Sequence, residues 1–122
     1  KAVRLMNERG VGALVVLDGG RLAGIFTERD VLRRIVDEGR PAATTRVGTV
    51  MTAAVRTVDP STTVEAAMEL MTGSRFRHLP VVEGGEVVGM VSIGDLMRWV
   101  TLHQQGHIAR MAEYITGGAA PV

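Results

Sequence analysis

Ser92 and Asp95 stand three residues apart, a hydroxyl and a carboxylate at the point where a strand-like run hands over to a helix-like one. Thr27 and Asp30 repeat the pair earlier in the chain. An ionised carboxylate has two acceptor oxygens and can take both hydroxyls of a cis-diol, as an acidic residue does toward ribose in dinucleotide-binding folds. Ser92 at a helix start adds a hydroxyl beside backbone N–H groups without helical partners, a suitable place for a phosphate. Gly89 lets a ligand approach the backbone closely. Phe76 and Met90 offer apolar faces for an adenine ring. Arg77 and His78 bring positive charge toward a phosphate, and the guanidinium offers a bidentate fork.

A plainer reading uses the same residues. Ser-x-x-Asp and Thr-x-x-Asp at a helix start are capping patterns, in which hydroxyl and carboxylate satisfy backbone amides reciprocally. Two copies behind matched hairpins, one with Arg77 and His78 alongside, favour a nucleotide site, and both roles can coexist. His103 and His107 stand four apart, a spacing able to ligate a metal. Only Gln104, Gln105 and Gly106 lie between them, with no third ligand, so an exposed helix face is the better reading. No metal site, nucleophile–base pair or phosphate-binding P-loop is expected.

The elements that must position these residues come as a repeat. Residues 1–35 laid over 66–100 without a gap share ten identities, among them Leu14/Leu79, Val16/Val81, Gly19/Gly84, Gly20/Gly85, Gly24/Gly89 and Asp30/Asp95. Such a repeat signals two copies of one supersecondary unit burying a shared face. Each copy reads as strand, helix, strand, strand, helix, with a Gly-Gly turn between the paired strands.

In chain order, Lys1 to Arg9 predicts a helix ended by Gly10. A hairpin over Val11–Leu17 and Arg21–Phe26 follows, then a helix from Asp30 through Val36. Pro41 to Val50 reads as a small, polar linker. Val55–Val58 predicts a short opening strand for the second copy, and Asp59-Pro60-Ser61-Thr62-Thr63 a turn with a Ser or Thr N-cap ahead of a helix over Thr63–Met71. The second hairpin covers Phe76–Val82 and Glu86–Val91. The last helix is expected from about Gly94 to Thr116, loosened at Gly106, with a disordered tail after it. Nothing ahead of Lys1 matches Val55–Val58, so the first copy is expected to lack its opening strand. The expected division is residues 1–48 for the first copy and 49–122 for the second.

The copies differ where the phosphate would lie. Opposite Ser74 to His78 the first copy has Arg9, Gly10, Val11, Gly12 and Ala13. Its basic candidate is Arg29, which reads equally well as a solvated helix residue.

The 122 residues carry 46% hydrophobic side chains, enough for a real core, but only four aromatics: Phe26, Phe76, Trp99 and Tyr114. Val, Leu, Ile, Met and Ala must build that core. A net charge of +1 with interspersed signs gives no broad footprint for nucleic acid or a membrane surface. The sequence has no cysteine, so it holds neither a disulfide nor a thiolate metal site. No apolar run is long enough to span a bilayer and no secretory signal is visible, so a cytoplasmic protein is expected.

The motif Gly-h-h-[Ser/Thr]-x-x-Asp behind a strand–Gly-Gly–strand hairpin, present twice, resembles that of the CBS-domain pair, the tandem repeat of cystathionine-β-synthase type. The likeness runs from Lys1 to about Val100. Thr27-Glu28-Arg29-Asp30 and the stretch Gly73 to Val81 resemble small stand-alone bacterial proteins of that family. The resemblance implies an α/β (α+β) module in which two pseudo-symmetric repeats pack sheet to sheet. It implies a regulatory module, not an enzyme, that takes adenosyl ligands in the clefts between repeats. AMP is foremost, with ADP, ATP, NAD(H) and S-adenosylmethionine as alternatives. On this likeness Asp95 and Asp30 accept ribose hydroxyls, and Ser92 and Thr27 lie by ribose or phosphate. Arg77 and His78 reach the phosphate, and Val55 and Arg56 lie beside the adenine. Two modules are expected to join as a flat disc. Here that means a homodimer through helices including Asp95–Val100 and Glu65–Met71, acting on a regulated protein that the sequence does not identify. A structural dimerisation module with a vestigial pocket is the rival reading, and an enzyme using Asp95 or His78 as a base a distant third.

Overall fold

Both hairpins turn on paired glycines in left-handed backbone conformations. Gly19 and Gly20 have φ of 61° and 83°, and Gly84 and Gly85 have 60° and 84°. Two consecutive positive φ values define the turn whose twist matches that of paired strands, and only glycine adopts them without steric cost. The fold is seen in a computed structural model that describes residues 1–74 and 76–102. Tyr114, His103, His107, Gly106, Arg75, the expected helix beyond Leu102 and the tail lie outside the described residues.

The elements are α1 (Ala2–Arg9), β1 (Ala13–Asp18), β2 (Arg21–Thr27), α2 (Glu28–Asp30) running into a π-helical stretch (Val31–Val36), α3 (Val47–Val50), α4 (Val64–Ser74), β3 (His78–Glu83), β4 (Glu86–Ser92) and α5 (Ile93–Leu102). They form two units, one over Lys1–Val55 and one beginning at Arg56. Residues 49–55 thus lie with the first unit, because Thr52 pairs antiparallel with Ile25 of β2. The Ile25 amide donates to the Thr52 carbonyl at 2.9 Å and the Thr52 amide to the Ile25 carbonyl at 2.8 Å.

Each unit has one two-stranded antiparallel sheet, β1 with β2 and β3 with β4. The registers correspond, Leu14 opposite Phe26 and Leu79 opposite Val91, with matching irregularities at Val16/Leu17 and Val81/Val82. Strand side chains alternate between faces, so one face of each hairpin is apolar by pattern. In the first unit that face packs Phe26 with Met6, Ile35 and Val50. In the second it packs Leu79, Val81 and Val91 with Val64, Ala67, Met71 and Leu96. Phe26 is the one fully buried aromatic among the described residues, and aliphatic side chains make up the rest of both small cores.

Helix starts follow the expected chemistry. Thr63 is the N-cap of α4, its hydroxyl accepting from the Ala66 amide at 3.0 Å. Gly10 closes α1 in the left-handed conformation. Three expectations need correction. The linker is not featureless: it carries α3, and Val50 joins the core. The helix after Asp30 widens to π geometry over Val31–Val36. The strand expected over Val55–Val58 shrinks to one parallel bridge between Val58 and Val81, because Asp59 turns the chain at once. Val58 donates to the Pro80 carbonyl at 3.0 Å and accepts from the Val82 amide at 2.8 Å.

Candidate functional site

Asp95 sits in the first turn of α5, one turn past the end of β4. The Ser92 hydroxyl accepts from the Asp95 amide at 3.1 Å and donates to Asp95 Oδ2 at 2.8 Å. The Ser92 amide donates to the same oxygen at 3.1 Å. Hydroxyl and carboxylate therefore form a reciprocal cap, and the capping reading is correct for this pair. It does not exhaust the carboxylate. Oδ1 faces Arg98 Nη1 at 3.8 Å, on a side chain 74% exposed, while the Asp95 side chain keeps 21% of its own exposure. One oxygen anchors the carboxylate, and the other faces only the exposed Arg98 among the contacts described.

The same cap forms at Thr27 and Asp30, where the Thr27 amide donates to Asp30 Oδ2 at 2.9 Å and its hydroxyl at 3.2 Å. The Asp30 amide returns to the Thr27 hydroxyl at 3.3 Å. Here the second oxygen is occupied as well. Thr52 Oγ1 lies 3.5 Å from Oδ1, and Arg34 Nε lies 3.6 Å from it. The Asp30 side chain is only 9% exposed. Arg29, its neighbour, is exposed.

The free amides expected at the helix start are largely taken. The Ile93 amide donates to the Arg77 carbonyl at 2.9 Å, as the Glu28 amide does to the Gly12 carbonyl at 3.0 Å. With the Asp95 amide also used, Ser92 contributes an anchored hydroxyl rather than a phosphate donor, since its one proton goes to Asp95. The Arg77 side chain is exposed, and His78 lies directly opposite Ser92 in the β3–β4 pairing. The second unit thus brings Asp95, Ser92 and His78 together, with Arg77 adjoining.

Phe76 packs against the core with Leu79 and Val91. Met90, opposite Pro80, lies on the other face of the hairpin by strand alternation. Val55 ends the first unit and exposed Arg56 opens the second. A cavity of about 460 Å³ lies elsewhere, between α1 and β1, lined by Leu5, Leu14, Val16, Phe26 and Val47 among others. Neither Asp30 nor Asp95 lines it, and its walls are mainly apolar, with Lys1 and Thr45 among them. Among the described residues no group of three or more metal-ligating side chains gathers, and no helix is long and apolar enough to cross a membrane.

Sequence reasoning passed over Arg34 and Thr52. The available signal was the repeat itself: Arg34 stands where the second copy has Trp99, the first difference after the shared Arg33/Arg98.

The family model for the CBS domain matches residues 1–37 and 47–102. The chain belongs to the CBS-domain family. It is 47% identical, over 96% of its length, to the mitochondrial CBS domain-containing protein CBSX3 of Arabidopsis thaliana, and spans 59% of that relative. A solved structure of a protein with CBS domains from Burkholderia ambifaria MC40-6 superposes with a TM-score of 0.80 at 50% identity, covering 88% of this chain and 79% of that one. CBSX2, solved in complex with AMP, superposes with a TM-score of 0.71 at 29% identity, covering 85% and 81%.

Proposed function

We infer that the chain is a regulatory module that binds an adenine nucleotide, AMP foremost, with ADP, ATP, NAD(H) and S-adenosylmethionine as the alternatives to test against it. The observation that carries this reading is the Asp95 carboxylate, held by Ser92 through one oxygen while the other meets only the solvent-exposed Arg98. A carboxylate fixed in orientation before a diol arrives loses little freedom on binding. Arg77 and His78 supply the charge for a phosphate. The AMP complex of CBSX2 supports the ligand class. The module itself performs no catalysis in this reading and acts through a regulated protein. A cytoplasmic setting is part of the proposal, to be settled by fractionation, since the Arabidopsis relative is mitochondrial.

Thermal denaturation with a panel of adenosyl compounds tests it, because a ligand that binds only the folded state raises the melting temperature. AMP should raise it in a concentration-dependent way. No shift with any of the panel at millimolar concentration would turn the reading toward a structural dimerisation module. That second reading has its own support in the exposed Met97, Val100 and Leu102 of α5 and Leu32 and Val36 of the first unit.

A further inference from the structure

The two capped carboxylates differ at the second oxygen, which meets Arg34 and Thr52 at Asp30 and Arg98 at Asp95. Arg34 reaches from the π-helical stretch to three oxygens. Its Nη1 donates to the Met51 carbonyl at 2.8 Å and to the Val50 carbonyl at 3.3 Å, and its Nε lies 3.6 Å from Asp30 Oδ1. Val50 and Met51 end α3, where carbonyls lack helical partners and a cation is favoured. The next residue, Thr52, pairs with Ile25 through two backbone hydrogen bonds and turns its hydroxyl to the same Oδ1. At the equivalent of Arg34 the second unit has Trp99, whose indole has one N–H and no charge.

We propose that Arg34 is a positioning residue that clasps Val47–Thr52 to Asp30, so that a ribose diol and this segment compete for Asp30 Oδ1. The other oxygen already takes both Thr27 donors, which leaves Oδ1 as the place a hydroxyl must bond. To reach it, a ribose displaces Thr52 Oγ1 and the guanidinium together. Losing the guanidinium loosens the carbonyl end of α3, and losing Thr52 loosens the pairing with β2. Ligand at Asp30 and seating of Val47–Thr52 therefore oppose each other, and by reciprocity anything that pulls the segment away favours ligand there. The segment runs directly into Val55 and the start of the second unit, which gives the release a route outward along the chain. This rests on Asp30 being a ribose acceptor, as the proposed function has it for Asp95.

Calorimetric titration with AMP on a D95N background isolates Asp30. R34M keeps the stem and removes every donor; R34K keeps the charge without the fork. R34M should tighten AMP about tenfold over the D95N parent, within the usual range of such couplings, and R34K by less. Hydrogen exchange gives a readout without ligand: the Thr52 amide should exchange faster in R34M, and faster in the parent when AMP is bound. Unchanged or weaker AMP affinity in R34M overturns the clasp, as does a Thr52 amide whose protection ignores Arg34. If the wild-type chain binds AMP and neither D95N chain does, the clasp fails while the reading of Asp95 stands. If the wild-type chain binds none, the ligand reading fails with it, and the clasp as a ligand competitor falls too.

Discussion

Gly24 and Thr52 meet so closely that a Cβ on Gly24 would lie 2.7 Å from the Thr52 carbonyl oxygen, and equally close to Met51 Sδ. The motif glycine of the first copy is thus required by the chain's own backbone. The segment Met51–Thr52 lies where the sequence alone suggested, for Gly89 in the second copy, that a ligand would approach.

Gly24→Ala should therefore destabilise the first unit. The methyl meets a carbonyl that accepts from the Ile25 amide, on a residue whose own amide donates to the Ile25 carbonyl, so the docked segment or β2 must shift. Overpacking of this kind costs about 1–3 kcal/mol. Urea unfolding should show a lower midpoint with an unchanged slope. A midpoint equal to the parent's would mean that Met51–Thr52 leaves β2 at no cost.

Asp59 carries an acid-sensitive turn. Its carboxyl is held below its ordinary value first by the Ser61 hydroxyl, then by the Ser61 amide, with smaller help from Thr62. A carboxyl whose folded pKa is depressed gives stability that is complete above its unfolded pKa and is lost as pH falls through the folded one. The turn ahead of α4 should weaken only under strongly acid conditions, below the ordinary carboxylate range. An NMR titration should place the Asp59 midpoint below that of an unpaired aspartate, and Asp59→Asn should remove this share of the acid dependence. A midpoint at the ordinary value contradicts the hydrogen bonding described.

Much of this was legible in the sequence because it depends on short-range rules. The Gly19-Gly20 and Gly84-Gly85 turns, the Thr27/Asp30 and Ser92/Asp95 caps and the alternation that buries Leu79 and Val81 each follow from residues within a few positions of one another. What was missed depends on distant or backbone partners. A four-residue helix at Val47–Val50 has too little length to show periodicity, and its anchor, Arg34, binds carbonyls that any residue would present. Phe76, expected to face a ligand, is half-buried against the core, a contact with residues distant enough that no local pattern marks it. Met90 has the neighbouring strand register, and alternation alone sends it to the other face.

Met97 is the test of assembly. It stands exposed on α5 at the position where the first copy has Leu32, exposed as well. On α5 itself Val100 follows one helical turn later, also exposed, and neighbouring exposed apolar side chains of this size mark an interface. Sedimentation at tens of micromolar should give twice the 13.0 kDa chain mass, and Met97→Asp should shift it toward the monomer. A clean monomer in the parent would end the dimer proposal.

A ribose acceptor should discriminate against deoxyribose. If Asp95 takes both hydroxyls of AMP, 2′-deoxy-AMP loses one charge-assisted hydrogen bond, worth roughly 1.5–3 kcal/mol or tenfold and more in affinity. Calorimetry with the two nucleotides checks this, and equal affinities would remove the diol from the role of Asp95.

The two carboxylates should rank with Asp95 ahead of Asp30. Asp95 leaves Oδ1 beside an exposed, solvent-screened Arg98, whereas Asp30 is the more buried and already has Thr52 and Arg34 at that oxygen. The second unit also carries Arg77 and His78, where the first has Gly12 and Ala13. Asp95→Ala should weaken both AMP and adenosine, since each presents the same ribose. Arg77→Ala should weaken AMP more than adenosine, because it removes a phosphate contact and leaves the ribose contacts in place. Asp30→Ala should change AMP affinity at the stronger site little while costing stability, because the Thr27 amide and hydroxyl lose their shared acceptor. Titrating AMP into the two Ala variants decides the order: if Asp30→Ala abolishes binding and Asp95→Ala leaves it intact, the buried, clasped carboxylate is the better acceptor, and the openness of Asp95 Oδ1 has no part in recognition.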